Sequence, residues 1–134
     1  TKKSLENAFR LITLLGGSTN AVLHLLAIAR TADIDFELSD MQHISDTTPF
    51  IADLKPSGRH VMEDLHKAGG IPSVLKTMLV DGILHGEQKT ITGATLAENL
   101  SDIPPLDFES QKVVFPVDKP IKPTGHIQIL YLNL

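Results

Sequence analysis

Apolar residues recur three and four positions apart at Leu5, Ala8, Phe9, Ile12 and Leu15, the stripe a helix of 3.6 residues per turn presents to a core. Gly16-Gly17 ends the pattern, because glycine takes the left-handed conformation after a last helical turn at little steric cost. Ser18, Thr19 or Asn20 then offers a cap for a second helix over residues 21–30. Its Val22, Leu23, Leu25, Leu26 and Ile28 are apolar nearly all round, which predicts a helix buried on every side.

Ser39-Asp40-Met41-Gln42 reads as a capping box opening a short helix that ends before Pro49. Residues 50–54 read as a short buried strand entering the turn Lys55-Pro56-Ser57-Gly58. The helical pattern returns over residues 59–67 and closes at Gly69-Gly70. Pro72 then stands where a first helical residue belongs, and that helix runs through Val74, Leu75, Met78 and Leu79 to Gly82. Residues 89–100 suggest a short strand, a glycine turn and one or two helical turns. Pro104, Pro105, Pro116, Pro120 and Pro123 next argue against helix. Residues 126–132 begin with polar/apolar alternation, the mark of a strand, and without a partner such a strand leaves its backbone groups unpaired. The first hundred residues are therefore helix-dominated and the tail opens something richer in strand.

A chain of 134 residues, 42% hydrophobic and 21% charged, has the balance of one globular domain with its own core. The net charge is -4, with no basic stripe interleaved with aromatics, which argues against nucleic acid as a partner. No apolar run reaches the roughly 18 to 20 residues that cross a bilayer, so no membrane role is expected. The first residues lack the apolar stretch of a secretory signal. No cysteine is present, which excludes disulfides, thiolate nucleophiles and any cysteine-ligated cluster built from these residues.

Gly16-Gly17-Ser18-Thr19-Asn20 is the best local candidate for chemistry. Two glycines admit a ligand close to the backbone, and the helix start beyond them offers free N–H groups and a positive dipole end, suited to a carboxylate or phosphate. The plainer reading is a joint between two helices; no lysine follows to make a P-loop. Lys55-Pro56-Ser57-Gly58-Arg59 sets two cations around a hydroxyl and reads equally as an anion grip or a solvated turn. His60, Glu63 and Asp64 share a helical face with His66 nearby, a partial set for a metal and more ordinarily a solvent-facing charged face. His24, on an apolar helix, is expected to be a hydrogen-bonded core residue. His43, His85 and His126 have no companions that suggest catalysis. Neither a Ser/His/Asp set nor a carboxylate pair stands out. No catalytic and no metal-ligating residue is therefore assigned.

Three stretches carry a family resemblance. Leu15-Gly16-Gly17-Ser18-Thr19-Asn20-Ala21-Val22-Leu23-His24-Leu25 resembles a signature of the dehydratases that act on dihydroxy acids, phosphogluconate and sugar acids. Ala52-Asp53-Leu54-Lys55-Pro56-Ser57-Gly58-Arg59, continued through Pro72, is similar to the dihydroxy-acid branch. Residues 120–131 resemble the passage into that family's C-terminal barrel. The resemblance implies an α/β fold: residues 1–100 as the helix-rich C-terminal part of an α/β N-terminal domain, 101–112 as a linker, and 113–134 as the first strands of a β-barrel domain.

It further implies a hydro-lyase that removes water from a 2,3-dihydroxy carboxylate to give a 2-oxo acid in branched-chain amino-acid (valine, isoleucine) biosynthesis. An iron–sulfur cluster as Lewis acid, magnesium beside it and a homodimer belong to the same implication. The family's cluster cysteines and most magnesium ligands are expected before Thr1, and its remaining metal-binding glutamate and its catalytic serine motif beyond Leu134. This segment is thus expected to ligate no cofactor and to be inactive alone, a fragment contributing wall and support. Gly16, Gly17, Ser18, Thr19, Asn20, Lys55, Ser57 and Arg59 are its candidates for the substrate cavity. The alternatives are a sugar-acid or phosphogluconate dehydratase of the same architecture and a non-catalytic anion-binding module. The compartment expected is the cytoplasm for a bacterial protein and a plastid or mitochondrion for a eukaryotic one.

Overall fold

The computed structural model describes residues 1–131. Among the described residues six helices follow one another: α1 (Lys2–Leu15), α2 (Asn20–Thr31), α3 (Leu38–Thr47), α4 (Met62–Lys67), α5 (Gly70–Val80) and α6 (Leu96–Asn99). The segments between and after them are joined by isolated bridges, Phe50 with Lys122, Ala52 with Val114, Leu54 with His60 and Lys89 with Thr95. The architecture is helix-rich; the described residues form no continuous sheet ladder and no barrel.

Helix α1 starts at Lys2 because Thr1 caps it, its hydroxyl accepting the Ser4 N–H at 3.1 Å. It ends as the glycines require. Gly16 has φ 73°, its N–H donates to the Thr13 carbonyl at 3.3 Å, and the Gly17 N–H donates to the Ile12 carbonyl at 2.8 Å. These two bonds are the Schellman pair that satisfies the last carbonyls of a helix. Helix α1 bridges two cores. Leu5 and Phe9 pack with Val22, Leu25, Met41, Ile44 and Ile127, while Leu14 packs with Ile51, Leu54, Leu65, Val74, Met78 and Val114.

Helix α2 departs from expectation. Only Val22, Leu25 and Ala29 are buried, and Leu23 and Ile28 are 68% and 54% exposed. α1 and α3 cover one side of α2, and nothing among the described residues covers the other. His24 lies on that outer face and is exposed rather than a hydrogen-bonded core residue.

The cap of α3 also differs from the one expected. The box forms two residues earlier, the Glu37 N–H donating to Asp40 Oδ2 at 2.9 Å, so Ser39 and Gln42 lie inside the helix. Asp40 is drawn to this end of the helix by Lys2, 2.8 Å away. The helix expected over 59–67 starts only at Met62, because Arg59 and His60 are tied back to Asp53. Pro72 is the third residue of α5 rather than the first, still within the turn that needs no N–H donor.

Of the strand expected at 126–132, residues 126–131 form neither a strand nor a backbone bridge, and Leu132 lies outside the described residues. Side chains of α3 take over the pairing. Ser45 Oγ donates to the Ile127 carbonyl at 2.5 Å, and the Ile129 N–H donates to Gln42 Oε1 at 2.6 Å. The alternation itself holds, with Ile127 buried and Gln128 and Leu130 exposed. No helix among the described residues is long and apolar enough to cross a membrane.

Candidate functional site

The Schellman turn sets Gly16 against the Phe50 ring, where a Cβ on Gly16 would lie 2.5 Å from Phe50 Cε2. Only glycine fits there, for both its positive φ and this contact. The chain then rises into α2 with Ser18, Thr19 and Asn20 exposed. Ser18 Oγ accepts the Asn20 N–H at 3.2 Å, while the N-cap position of α2 falls on Thr19, whose side chain makes no capping bond. The Ser18 and Thr19 N–H groups donate to nothing among the described residues, which leaves them available to an anion.

Phe50 also carries the ring of His126, with centroids 5.5 Å apart and planes tilted by 39°. The His126 Nε2–H donates to the Gly17 carbonyl at 2.6 Å, and Nδ1 lies 3.3 Å from the Thr13 carbonyl oxygen. Gly125 delivers this ring: its N–H donates to the Ser45 carbonyl at 2.7 Å, and its α-carbon is pressed so closely on Thr13 and Ser45 that a Cβ would overlap both. Sequence reasoning gave His126 no companions. The contact spans 109 residues, and nothing local announces it.

The second turn is built on Asp53. Its Oδ2 accepts Arg59 Nε at 2.7 Å, its Oδ1 accepts the Arg59 N–H at 3.0 Å, and its backbone carbonyl accepts the His60 N–H at 2.9 Å. The Arg59 side chain, and after it the Arg59 backbone N–H, hold the Asp53 carboxyl below the ordinary carboxylate range. Gly58 is confined by the same residue, since a Cβ there would strike the Asp53 backbone. Lys55, Ser57 and Arg59 are exposed. The ion pair engages Arg59 through Nε, and no bond from its terminal amino groups is found among the described residues. That end of the fork remains suited to a carboxylate. Asp53, Ser57, Gly58, Arg59, Phe115 and Ile121 line an open cleft of ≈ 450 Å³. Asp53, which orients Arg59, was not singled out in the sequence; a carboxylate two residues before the Lys55 turn was the signal available.

Residues 16–20 do not line that cleft, so the structure does not bring the two turns into one cavity. It does join them through Phe50, which packs on Gly16 while its carbonyl accepts the Ile121 N–H at 2.9 Å.

The histidine and carboxylates of α4 serve the helix. Asp64 Oδ2 accepts the Val61 N–H at 2.9 Å, which caps α4 and lowers the Asp64 pKa, and His60 Nδ1 stands 3.6 Å from it, too far for a hydrogen bond. No three His, Asp or Glu side chains gather around a common point among the described residues, and the chain has no cysteine. These residues therefore do not fit an iron–sulfur cluster, and no step is derived through one.

The described residues thus form a helical scaffold with two exposed turns, residues 16–20 and 55–59, each suited to an anion. Residues 1–99 match the model of the dihydroxy-acid/6-phosphogluconate dehydratase N-terminal family, and the chain belongs to that family. It is 54% identical over 134 residues to a dihydroxy-acid dehydratase of Lactococcus lactis subsp. cremoris, covering all of this chain and 24% of that protein. It is 55% identical over 130 residues to the chloroplastic dihydroxy-acid dehydratase of Arabidopsis thaliana, and 53% over 131 residues to a mitochondrial one of Aspergillus fumigatus. Each of those alignments covers 97% of this chain and 21% of the relative. The chain thus spans about a quarter or less of the length of these relatives.

Proposed function

We propose that this chain acts as part of a dihydroxy-acid dehydratase, a hydro-lyase that removes water from a 2,3-dihydroxy carboxylate to give a 2-oxo acid in valine and isoleucine biosynthesis. The observation that carries the reading is the identity of 53% to 55%, over at least 97% of the chain, to proteins of that name from a bacterium, a plant plastid and a fungal mitochondrion. Within the complete enzyme, residues 1–100 belong to the α/β N-terminal domain, 101–112 to a linker and 113–134 to the start of a β-barrel domain. The enzyme works as a homodimer, in the cytoplasm of a bacterium or in a plastid or mitochondrion of a eukaryote.

The chemistry of the elimination, with an iron–sulfur cluster as Lewis acid and magnesium beside it, is supplied by groups that other parts of the enzyme ligate. This chain binds and orients. The Ser18 and Thr19 N–H groups, at the positive end of α2, meet the substrate carboxylate, and Gly16, Gly17 and Asn20 shape the approach. Ser57 and the free end of the Arg59 guanidinium line the separate cleft at the second turn, with Lys55 exposed beside them, and offer a second anion-binding surface. Holding a charged substrate in one orientation is itself a large share of catalysis.

The test is substrate profiling of the complete, cofactor-loaded enzyme. Dehydration of branched 2,3-dihydroxy acids far faster than of sugar acids or 6-phosphogluconate supports the reading; the reverse preference overturns it.

A further inference from the structure

We propose that His126 is a positioning residue for substrate binding: its imidazole fixes the Gly17 carbonyl and so sets the Gly16–Asn20 turn in the geometry that receives the carboxylate. This rests on the reading that the turn binds substrate. An ordinary helix cap does not account for the contact. Three of the carbonyls that close α1 already have backbone partners: Ile12 the Gly17 N–H, Thr13 the Gly16 N–H, and Leu14 the Ile51 N–H at 3.1 Å. The short bond from His126 goes instead to Gly17, beyond the helix, in the link between α1 and α2.

That link is Gly16, Gly17, Ser18 and Thr19, and it opens with two glycines, the residues least able to hold a conformation by themselves. Its restraint comes from outside, through a ring that lies over Phe50 while its backbone is moored at Gly125 to the Ser45 carbonyl of α3. The Gly17 carbonyl and the Ser18 N–H are the two ends of one peptide group. A donor on the carbonyl polarises that peptide and strengthens the N–H as a donor at its other end. His126 thereby aims the Ser18 N–H and sharpens its acidity toward an anion, without touching the substrate.

The experiment compares His126→Phe and His126→Gln with the parent in the complete enzyme. Phenylalanine keeps a ring over Phe50 and loses the N–H; glutamine keeps a donor. Three readouts are taken: KM against kcat for the dihydroxy acid, the thermal midpoint, and deuterium uptake by peptides covering residues 16–22. His126→Phe is expected to lower kcat/KM by about tenfold or more, chiefly through KM, with faster exchange at 16–22 and a midpoint within a few degrees of the parent. His126→Gln is expected to recover most of the loss.

Unchanged KM in His126→Phe overturns the assignment, as does a loss that follows the thermal midpoint and that glutamine does not rescue. If Asn20→Ala impairs turnover while His126→Phe does not, only the role of His126 falls. A parent enzyme without dehydration of dihydroxy acids takes down the functional reading and this proposal with it.

Discussion

Asn7 and His85 clasp each other by two reciprocal hydrogen bonds across 78 residues of sequence. The Asn7 side-chain Nδ2 donates to the His85 carbonyl at 3.0 Å, and the His85 backbone N–H donates to Asn7 Oδ1 at 2.8 Å. The amide of Asn7 thus plays the part of a neighbouring strand, pairing the backbone of the loop after α5 with α1. Its neighbour Glu6 holds the imidazole of the same histidine at 2.7 Å. Because Asn7 is buried, Asn7→Ala strands both backbone groups of His85 and is expected to destabilise the fold by about 1 to 3 kcal/mol. Denaturant unfolding followed by circular dichroism measures this directly. A loss below a few tenths of a kcal/mol would show that water replaces the clasp.

Thr13 presents the opposite case. Its side chain is fully buried, and its Oγ1 finds no hydrogen-bond partner among the described residues. Burying an unpaired hydroxyl costs free energy that an apolar group of similar shape does not. Thr13→Val is accordingly expected to stabilise the protein by about 1 kcal/mol, read as a rise in the thermal midpoint. A fall in the midpoint would mean that the hydroxyl is paired after all.

Three carboxylates give stability an acid limb of known sign. Arg59 lowers the pKa of Asp53, the Val61 N–H lowers that of Asp64, and Lys3 draws Glu87 from 4.5 down to about 2. Each folded-state pKa lies below the unfolded one, so the unfolded chain binds more protons as acid is added. Their contribution is fully present above the ordinary carboxylate range and drains away as pH falls through the folded values, for Glu87 from 4.5 toward 2. Glu87→Gln and Asp53→Asn are each expected to flatten stability against pH over that range and to leave the neutral plateau nearly level. The Glu87 effect shrinks in salt, since Lys3 and Glu87 are both more than half exposed. Unfolding midpoints measured from pH 7 to pH 2 check both. An unchanged slope in both variants contradicts the assignment.

Local pattern was enough for α1, for its stop at Gly16, for α5 and for the glycine turn at Gly93, because caps, periodicity and positive φ are written within a few residues of where they act. It was not enough for α2. An apolar stripe says that a face avoids water; it does not say what covers it, and here Leu23 and Ile28 stay uncovered among the described residues. The register of the α3 cap slipped for a similar reason. Ser39 is the residue type that usually opens a box, yet the box that forms opens at Glu37, and the ion pair from Lys2 to Asp40, made across the fold, accompanies it.

The candidate site shows the same division. The turn at Gly16 and the turn at Lys55 were visible as glycine and charge patterns. The groups that brace them were not: His126 reaches back 109 residues to Gly17, and Asp53 fixes Arg59 from the end of an extended segment. The strand expected at 126–132 does not form over 126–131, where Ser45 and Gln42 of α3 bond the backbone at Ile127 and Ile129, contacts no alternation pattern encodes.

The central claim is that the two turns serve the substrate of a dihydroxy-acid dehydratase. Its most direct measurement is the steady-state kinetics of Asn20→Ala and Ser57→Ala in the complete enzyme, with the thermal midpoint recorded alongside. Neither side chain is buried, so stability is expected to hold to within about 0.5 kcal/mol while kcat/KM for the dihydroxy acid falls by about tenfold or more. Turnover and KM equal to the parent in both variants, with the fold intact, would contradict it.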